Sequence, residues 1–154
     1  MILHKTIASV FGVGFIKGGG TIAAIIYCIV WWLLPVSLLN NWWQAVIVLA
    51  ITVVGTLSSC EVDKVWGKDS SRVVIDEVAG MSIALLFAPH QMLYLAAGLV
   101  AFRFFDIVKP LGVRKMEKLP TGIGVMADDI LAGIYAFVFV KIVMLVHLYL
   151  LMKK

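Results

Sequence analysis

The chain has 154 residues, of which 62% are hydrophobic and 14% charged, with a net charge of +4 and a mean hydropathy of +1.04. Soluble domains carry roughly a quarter charged residues, so an ordinary soluble protein is excluded. The basic excess fits loops facing anionic lipid better than a nucleic-acid surface, and the length fits one domain, 1–154.

The chain opens on a short apolar stretch containing one lysine, followed by Gly12-Val-Gly14-Phe-Ile-Lys17-Gly18-Gly19-Gly20-Thr21. No small-x-small cleavage site is present, so this end is expected to be retained rather than removed as a signal peptide. The glycine-rich turn leads into a helix, where backbone amides can hold phosphate. It lacks the Lys-Ser/Thr of a P-loop and equally fits close packing. Residues 21–39 form an uncharged apolar run of about 28 Å as a helix, enough to span a bilayer. Pro35 is expected to kink or end that helix. A second apolar run covers 42–57. Between the two, Asn40-Asn41 is expected to turn, with Trp42 and Trp43 at a membrane interface. Cys28 and Cys60 read as small buried hydrophobes rather than a disulfide framework.

From 60 to 72 the chain turns polar. Val73 to Phe87 is apolar apart from Asp76, Glu77 and Ser82, Pro89 breaks it, and Met92 to Phe105 is apolar again. These two stretches are expected to form a tight hairpin, tilted or re-entrant because each arm is short for a crossing. Residues 103–129 form the longest polar segment, with Pro110, Gly112, Pro120, Gly122 and Gly124 marking loops. Ile130 to Met152 is the last apolar helix, interrupted by Lys141 and ended by Lys153-Lys154. The expected fold is all-α: a multi-pass membrane bundle of about four membrane helices or hairpin arms with cytoplasmic loops. Lys and Arg concentrate in 60–72 and 103–118 and are absent from 38–43 and 87–92, which puts the basic segments in the cytoplasm.

The carboxylates carry the functional signal. Six of the nine acidic residues, Asp69, Asp76, Glu77, Asp106, Asp128 and Asp129, adjoin apolar runs. Removing an anion from water is costly unless a cation compensates it, and ionisable groups at membrane segments are functional candidates. Asp76-Glu77 and Asp128-Asp129 each head a helix, where a carboxylate can cap the first turn or ligate a metal. The expected topology gathers both pairs on the cytoplasmic face as one acidic, metal-binding site. Arg103, Asp106 and Lys109 recur every three residues and share a helix face. They form either a salt-bridge ladder or a mixed-charge site, with a carboxylate for metal or proton transfer and cations for a phosphate. His4, His90 and His147 have no ligand spacing and are expected to be structural, and Lys141 is expected to serve packing or lipid contact.

Three blocks in this order resemble the phosphatidylglycerophosphatase A family. They are Asp69-Ser-Ser-Arg-Val-Val-Ile-Asp76-Glu77-Val-Ala-Gly80-Met81, Phe-Arg103-Phe-Phe-Asp106-Ile-Val-Lys109-Pro110, and Gly122-Ile-Gly124-Val-Met-Ala-Asp128-Asp129-Ile-Leu-Ala-Gly133. The Gly-rich turn ending at Gly20-Thr21 resembles the family's N-terminal Gly-Thr turn. Gly19 replaces the usual proline there, and Ala23-Ala24 replace a Gly-Ser, which leaves Thr21 as the only hydroxyl. The resemblance implies a bacterial inner-membrane phosphatase. It would use Mg²⁺ to release the terminal phosphate of phosphatidylglycerol phosphate, with the membrane phospholipid as its partner and no protein partner evident. Asp76, Glu77, Asp128 and Asp129 would then ligate Mg²⁺. Asp106 would act as a further ligand, general base or nucleophile, and Lys109, Arg103 and Thr21 would bind phosphate. Clustered acids would also suit a metal-dependent membrane phosphotransferase or a small cation transporter.

Overall fold

The structure is a computed structural model and describes residues 1–39 and 42–153. Among these, every regular element is helical. Helix α1 covers Ile2–Ala8 and a 3₁₀ turn covers Val13–Phe15. Then come α2 (Gly19–Leu33), α3 (Val36–Leu39), α4 (Trp42–Trp66), α5 (Ile75–Ala84), α6 (Met92–Val108), α7 (Val113–Met116) and α8 (Gly122–Met152). The expected turn at Asn40-Asn41 lies outside the described residues, as does Lys154.

Two of these helices, α4 with 25 residues and α8 with 31, are long and apolar enough to cross a bilayer. Only 28% and 11% of their apolar windows are buried within the protein. Much of the rest is exposed or only half-buried, as in a helix with a lipid-facing side and unlike a fully buried core helix. The 15 residues of α2 and 17 of α6 reach about 22 and 26 Å, short of a core roughly 30 Å thick. With ten residues, α5 reaches about 15 Å and does not cross by itself. The four expected membrane helices or arms therefore resolve into two long helices and three shorter ones.

Two boundaries differ from expectation. Helix α4 continues through 60–66, because Val62 is fully buried while Glu61 and Lys64 pair on the outer face. Helix α8 starts at Gly122, eight residues before Ile130, so Thr121-Gly-Ile-Gly124 is not a loop. A Cβ at Gly122 would lie 2.4 Å from the Ser59 carbonyl carbon, so this glycine serves close helix approach rather than flexibility.

The core packs α5 and α6 against α8. Trp31, Met81, Leu85 and Phe102 fill it, with Ala132, Ala136 and Val140 lining the α8 side. Buried Gln44 closes the end of α5: its Nε2 donates to the Leu85 carbonyl (3.0 Å) and its Oε1 accepts from the Phe87 N–H (2.7 Å). Lys141 donates to the Phe87 carbonyl at 2.9 Å, so it ties down the α5–α6 turn. A short helix can therefore end inside an apolar bundle with its backbone satisfied. His90 stacks on Trp32 and His147 meets the Tyr94 hydroxyl at 2.7 Å, both structural roles.

Helices α5 and α8 cross at Gly80 and Gly133, where a Cβ on Gly133 would sit 2.4 Å from the Gly80 carbonyl oxygen. Gly133→Val is expected to destabilise the bundle by about 1–3 kcal/mol or more through overpacking. A thermal melt in detergent that matched wild type would contradict this crossing.

Candidate active site at the acidic end of the bundle

Three helices deliver the functional residues to one place. The first turn of α5 carries Asp76 and Glu77, the last turns of α6 carry Arg103 and Asp106, and the second turn of α8 carries Asp128 and Asp129. All four aspartates are buried, the most exposed being Asp106 at 9%. One carboxylate from each helix converges: oxygen atoms of Glu77, Asp106 and Asp129 all lie within 4.8 Å of one another. Arg103 bridges this group, bonding Glu77 and, at 2.8 Å, Asp106.

The remaining member of each acidic pair lies outside this three-way convergence, since neighbours on a helix diverge by about 100°. The Oδ1 of Asp76 accepts the Glu77 backbone N–H at 3.0 Å. Asp128 turns to Lys109, whose ammonium lies 2.6 Å from its Oδ2. Its other oxygen, Oδ1, is buried without a hydrogen-bond partner.

Lys109 does not extend the Arg103–Asp106 ladder. It caps α6 in the left-handed conformation, φ 50°, just before Pro110. The reversal swings its side chain away from Asp106 toward Asp128 and Glu117, each at 2.6 Å. Burial works against the charge on Lys109, but hydrogen bonding to Asp128 and Glu117 outweighs it and holds the ammonium above the ordinary lysine range. Glu117 was not a sequence candidate. It follows α7, eight residues beyond Lys109, and no helical period connects the two.

Two open spaces flank the centre. A polar cleft of about 690 Å³ is lined by Lys17, Gly18 to Gly20, Arg72 and Glu77. A Cβ at Gly20 would fall 2.0 Å from Glu77 Oε1, so the glycine turn lies directly on this carboxylate. The other is an apolar groove of about 430 Å³, lined by Leu99, Val100, Phe104 and Ile107 with Thr21 and Arg103 among its walls. Asp69 stands apart, exposed in the loop before α5.

A helical chain with outward apolar faces and a carboxylate–arginine centre between a polar cleft and an apolar groove has the layout of a membrane-associated enzyme acting on a charged lipid headgroup. The family described as phosphatidylglycerophosphatase A matches residues 6–144, and the chain belongs to it. It is 41% identical over 91% of its length to 92% of a Bacteroides thetaiotaomicron protein named provisionally as a phosphatidylinositol-3-phosphatase. It is 32% identical over 75% of its length to 66% of phosphatidylglycerophosphatase A from Escherichia coli K12. The Haemophilus influenzae phosphatidylglycerophosphatase A aligns at 43% identity over 47% of this chain and 45% of its own. No solved structure matches. The chain is therefore a phosphatase, a phosphoric monoester hydrolase with a phospholipid substrate, and the phosphotransferase and transporter alternatives fall away.

Proposed function

We propose that the protein hydrolyses phosphatidylglycerol phosphate to phosphatidylglycerol and inorganic phosphate, using Mg²⁺, as a multi-pass protein of the bacterial inner membrane with its site at the cytoplasmic face. The observation that carries this reading is the convergence of Glu77, Asp106 and Asp129 around Arg103. Mg²⁺ favours oxygen ligands and keeps several waters, so three carboxylates are a suitable donor set. The partnerless buried Oδ1 of Asp128 supplies a further oxygen that calls for a cation or water.

Bound there, Mg²⁺ would neutralise charge on the phosphoryl oxygens and lower the pKa of water. The chain's own residues do the rest. Glu77, Asp106 and Asp129 would hold the ion. Asp106, fixed by Arg103 from one turn earlier on α6, also stands ready to take the proton of the attacking water. Water oxygen adds to phosphorus, the bond from phosphorus to the glycerol oxygen breaks, and that oxygen takes up a proton. Asp76 and Asp128 flank the ligands, with Lys109 fixing Asp128. Thr21 and Arg103 line the groove in which an acyl chain can lie while its headgroup reaches the centre.

A second reading has a specific basis. The relative aligned over nine-tenths of both chains bears a phosphoinositide name, so a phosphatidylinositol phosphate is the competing substrate. Phosphate release from vesicles of each lipid, with Mg²⁺ and with a chelator, decides. We expect Mg²⁺-dependent release, with kcat/KM for phosphatidylglycerol phosphate about tenfold or more above that for phosphatidylinositol 3-phosphate, a difference worth roughly 1.4 kcal/mol. The reverse ranking would establish the second reading. Full activity in chelator would remove the metal.

A further inference from the structure

The two cations expected to bind phosphate are both engaged: Arg103 by Glu77 and Asp106, Lys109 by Asp128 and Glu117. With Asp76 and Asp129 nearby, two cations stand among six carboxylates, and even a divalent ion leaves the centre negative. A phosphomonoester dianion approaching it needs positive charge from somewhere else.

Lys17 and Arg72 meet that need. Both are exposed, both line the 690 Å³ cleft, and Glu77 of the acidic centre lines it with them. Among the described residues neither has a carboxylate within ion-pair distance. Arg72 is also mounted rather than loose. Its guanidinium lies 5.6 Å from the Phe15 ring centroid and 5.9 Å from that of Trp66. Two residues on, the Val74 N–H donates to the Ala8 carbonyl at 2.9 Å, anchoring this segment to α1. Aromatic contacts hold a guanidinium plane in place while its N–H edge stays available to an anion.

We propose that Arg72, with Lys17, is the phosphate-binding element of this enzyme: the cleft receives the phosphomonoester that is hydrolysed and the inorganic phosphate that leaves. This rests on the phosphatase reading above and adds the residues that recognise the substrate anion. A general attraction of surface cations to anionic lipid is the plainer account, and it predicts the same effect from any exposed lysine at this end.

The test uses the full chain in detergent micelles with Mg²⁺ and compares wild type with Arg72→Met, Arg72→Lys, Lys17→Met and, as a control outside the cleft, Lys115→Met. Two quantities are read: steady-state kinetics on phosphatidylglycerol phosphate, and binding of inorganic phosphate by titration calorimetry. Loss of one charge-assisted contact corresponds to about a ten- to hundredfold change. Arg72→Met is expected to raise KM and weaken phosphate binding by that factor, with kcat changed much less. Arg72→Lys is expected to recover part of the loss, Lys17→Met to show a smaller effect, and Lys115→Met none. Phosphate binding that depends on Arg72 in a protein inactive on the lipid would uphold the cleft and sink the substrate. Wild-type KM and phosphate binding in Arg72→Met, or an equal loss in Lys115→Met, would overturn the proposal.

Discussion

Asp129→Asn is expected to lower turnover by about a thousandfold or more while leaving the protein folded and, without divalent ions, at least as heat-stable as wild type. Glu77, Asp106 and Asp129 bring oxygens within 4.8 Å of one another. At that spacing two unit charges repel by roughly 3–4 kcal/mol at an effective dielectric of 20. Arg103 offsets Glu77 and Asp106 and leaves Asp129 without an ion pair among the described residues. Asparagine keeps the shape and removes one repelling charge, so the metal-free fold gains, while a Mg²⁺ held there as proposed would lose a ligand. Melting curves with and without Mg²⁺ separate these effects. Wild type should be stabilised by Mg²⁺, by about 2.7 kcal/mol at a hundredfold excess over Kd, and the variant should respond weakly. Normal turnover together with a normal Mg²⁺ shift would take Asp129 out of the site.

The same geometry explains which parts of the site could be read from the sequence. Acidic residues stand out in a chain this apolar, because burying a carboxylate without a purpose is costly. Asp76-Glu77, Asp106 and Asp128-Asp129 were therefore visible as candidates. Their division of labour was not. Neighbours on a helix diverge by about 100°, and which member of each pair joins the convergence depends on rotation about α5 and α8. The start of α8 fixes that rotation, and it lies at Gly122 because backbone meets backbone at Ser59. Glycines beside Pro120 have the composition of a loop, and only the tertiary contact makes them a helix. The partners of Lys109 were hidden for a related reason. A three-residue spacing projects it onto the face of Arg103 and Asp106, but one left-handed residue at the C-cap breaks the period. Helix lengths went the other way. Apolar runs located α2, α4, α5, α6 and α8, but the ten residues of α5 and its closure by Gln44 depend on a hydrogen bond spanning 43 positions.

Lys109→Met is expected to destabilise the fold and, by a separate effect, to lower turnover. Its ammonium makes two charge-assisted bonds, to Asp128 and Glu117, at 2.6 Å. The lysine side chain is 22% exposed and that of Asp128 only 7%, so removing the cation strands a buried anion whose second oxygen already lacks a partner. The cost of such a loss is about 1–3 kcal/mol, below the value for a fully buried pair because Glu117 reaches solvent. The melting temperature should fall accordingly. Turnover should fall by about tenfold or more even where the variant is fully folded, because Asp128 is then free to swing away from the proposed ligands Glu77, Asp106 and Asp129. Lys109→Met combined with Asp128→Asn separates the two roles. Neutralising the stranded aspartate should restore most of the melting temperature, a coupling of about 0.5–3 kcal/mol in a double-mutant cycle, while turnover stays low. A lysine that bound phosphate directly would behave differently. The single variant would melt like wild type and lose affinity for inorganic phosphate, and the two substitutions would add without coupling. That pattern would move Lys109 from positioning Asp128 to gripping the substrate.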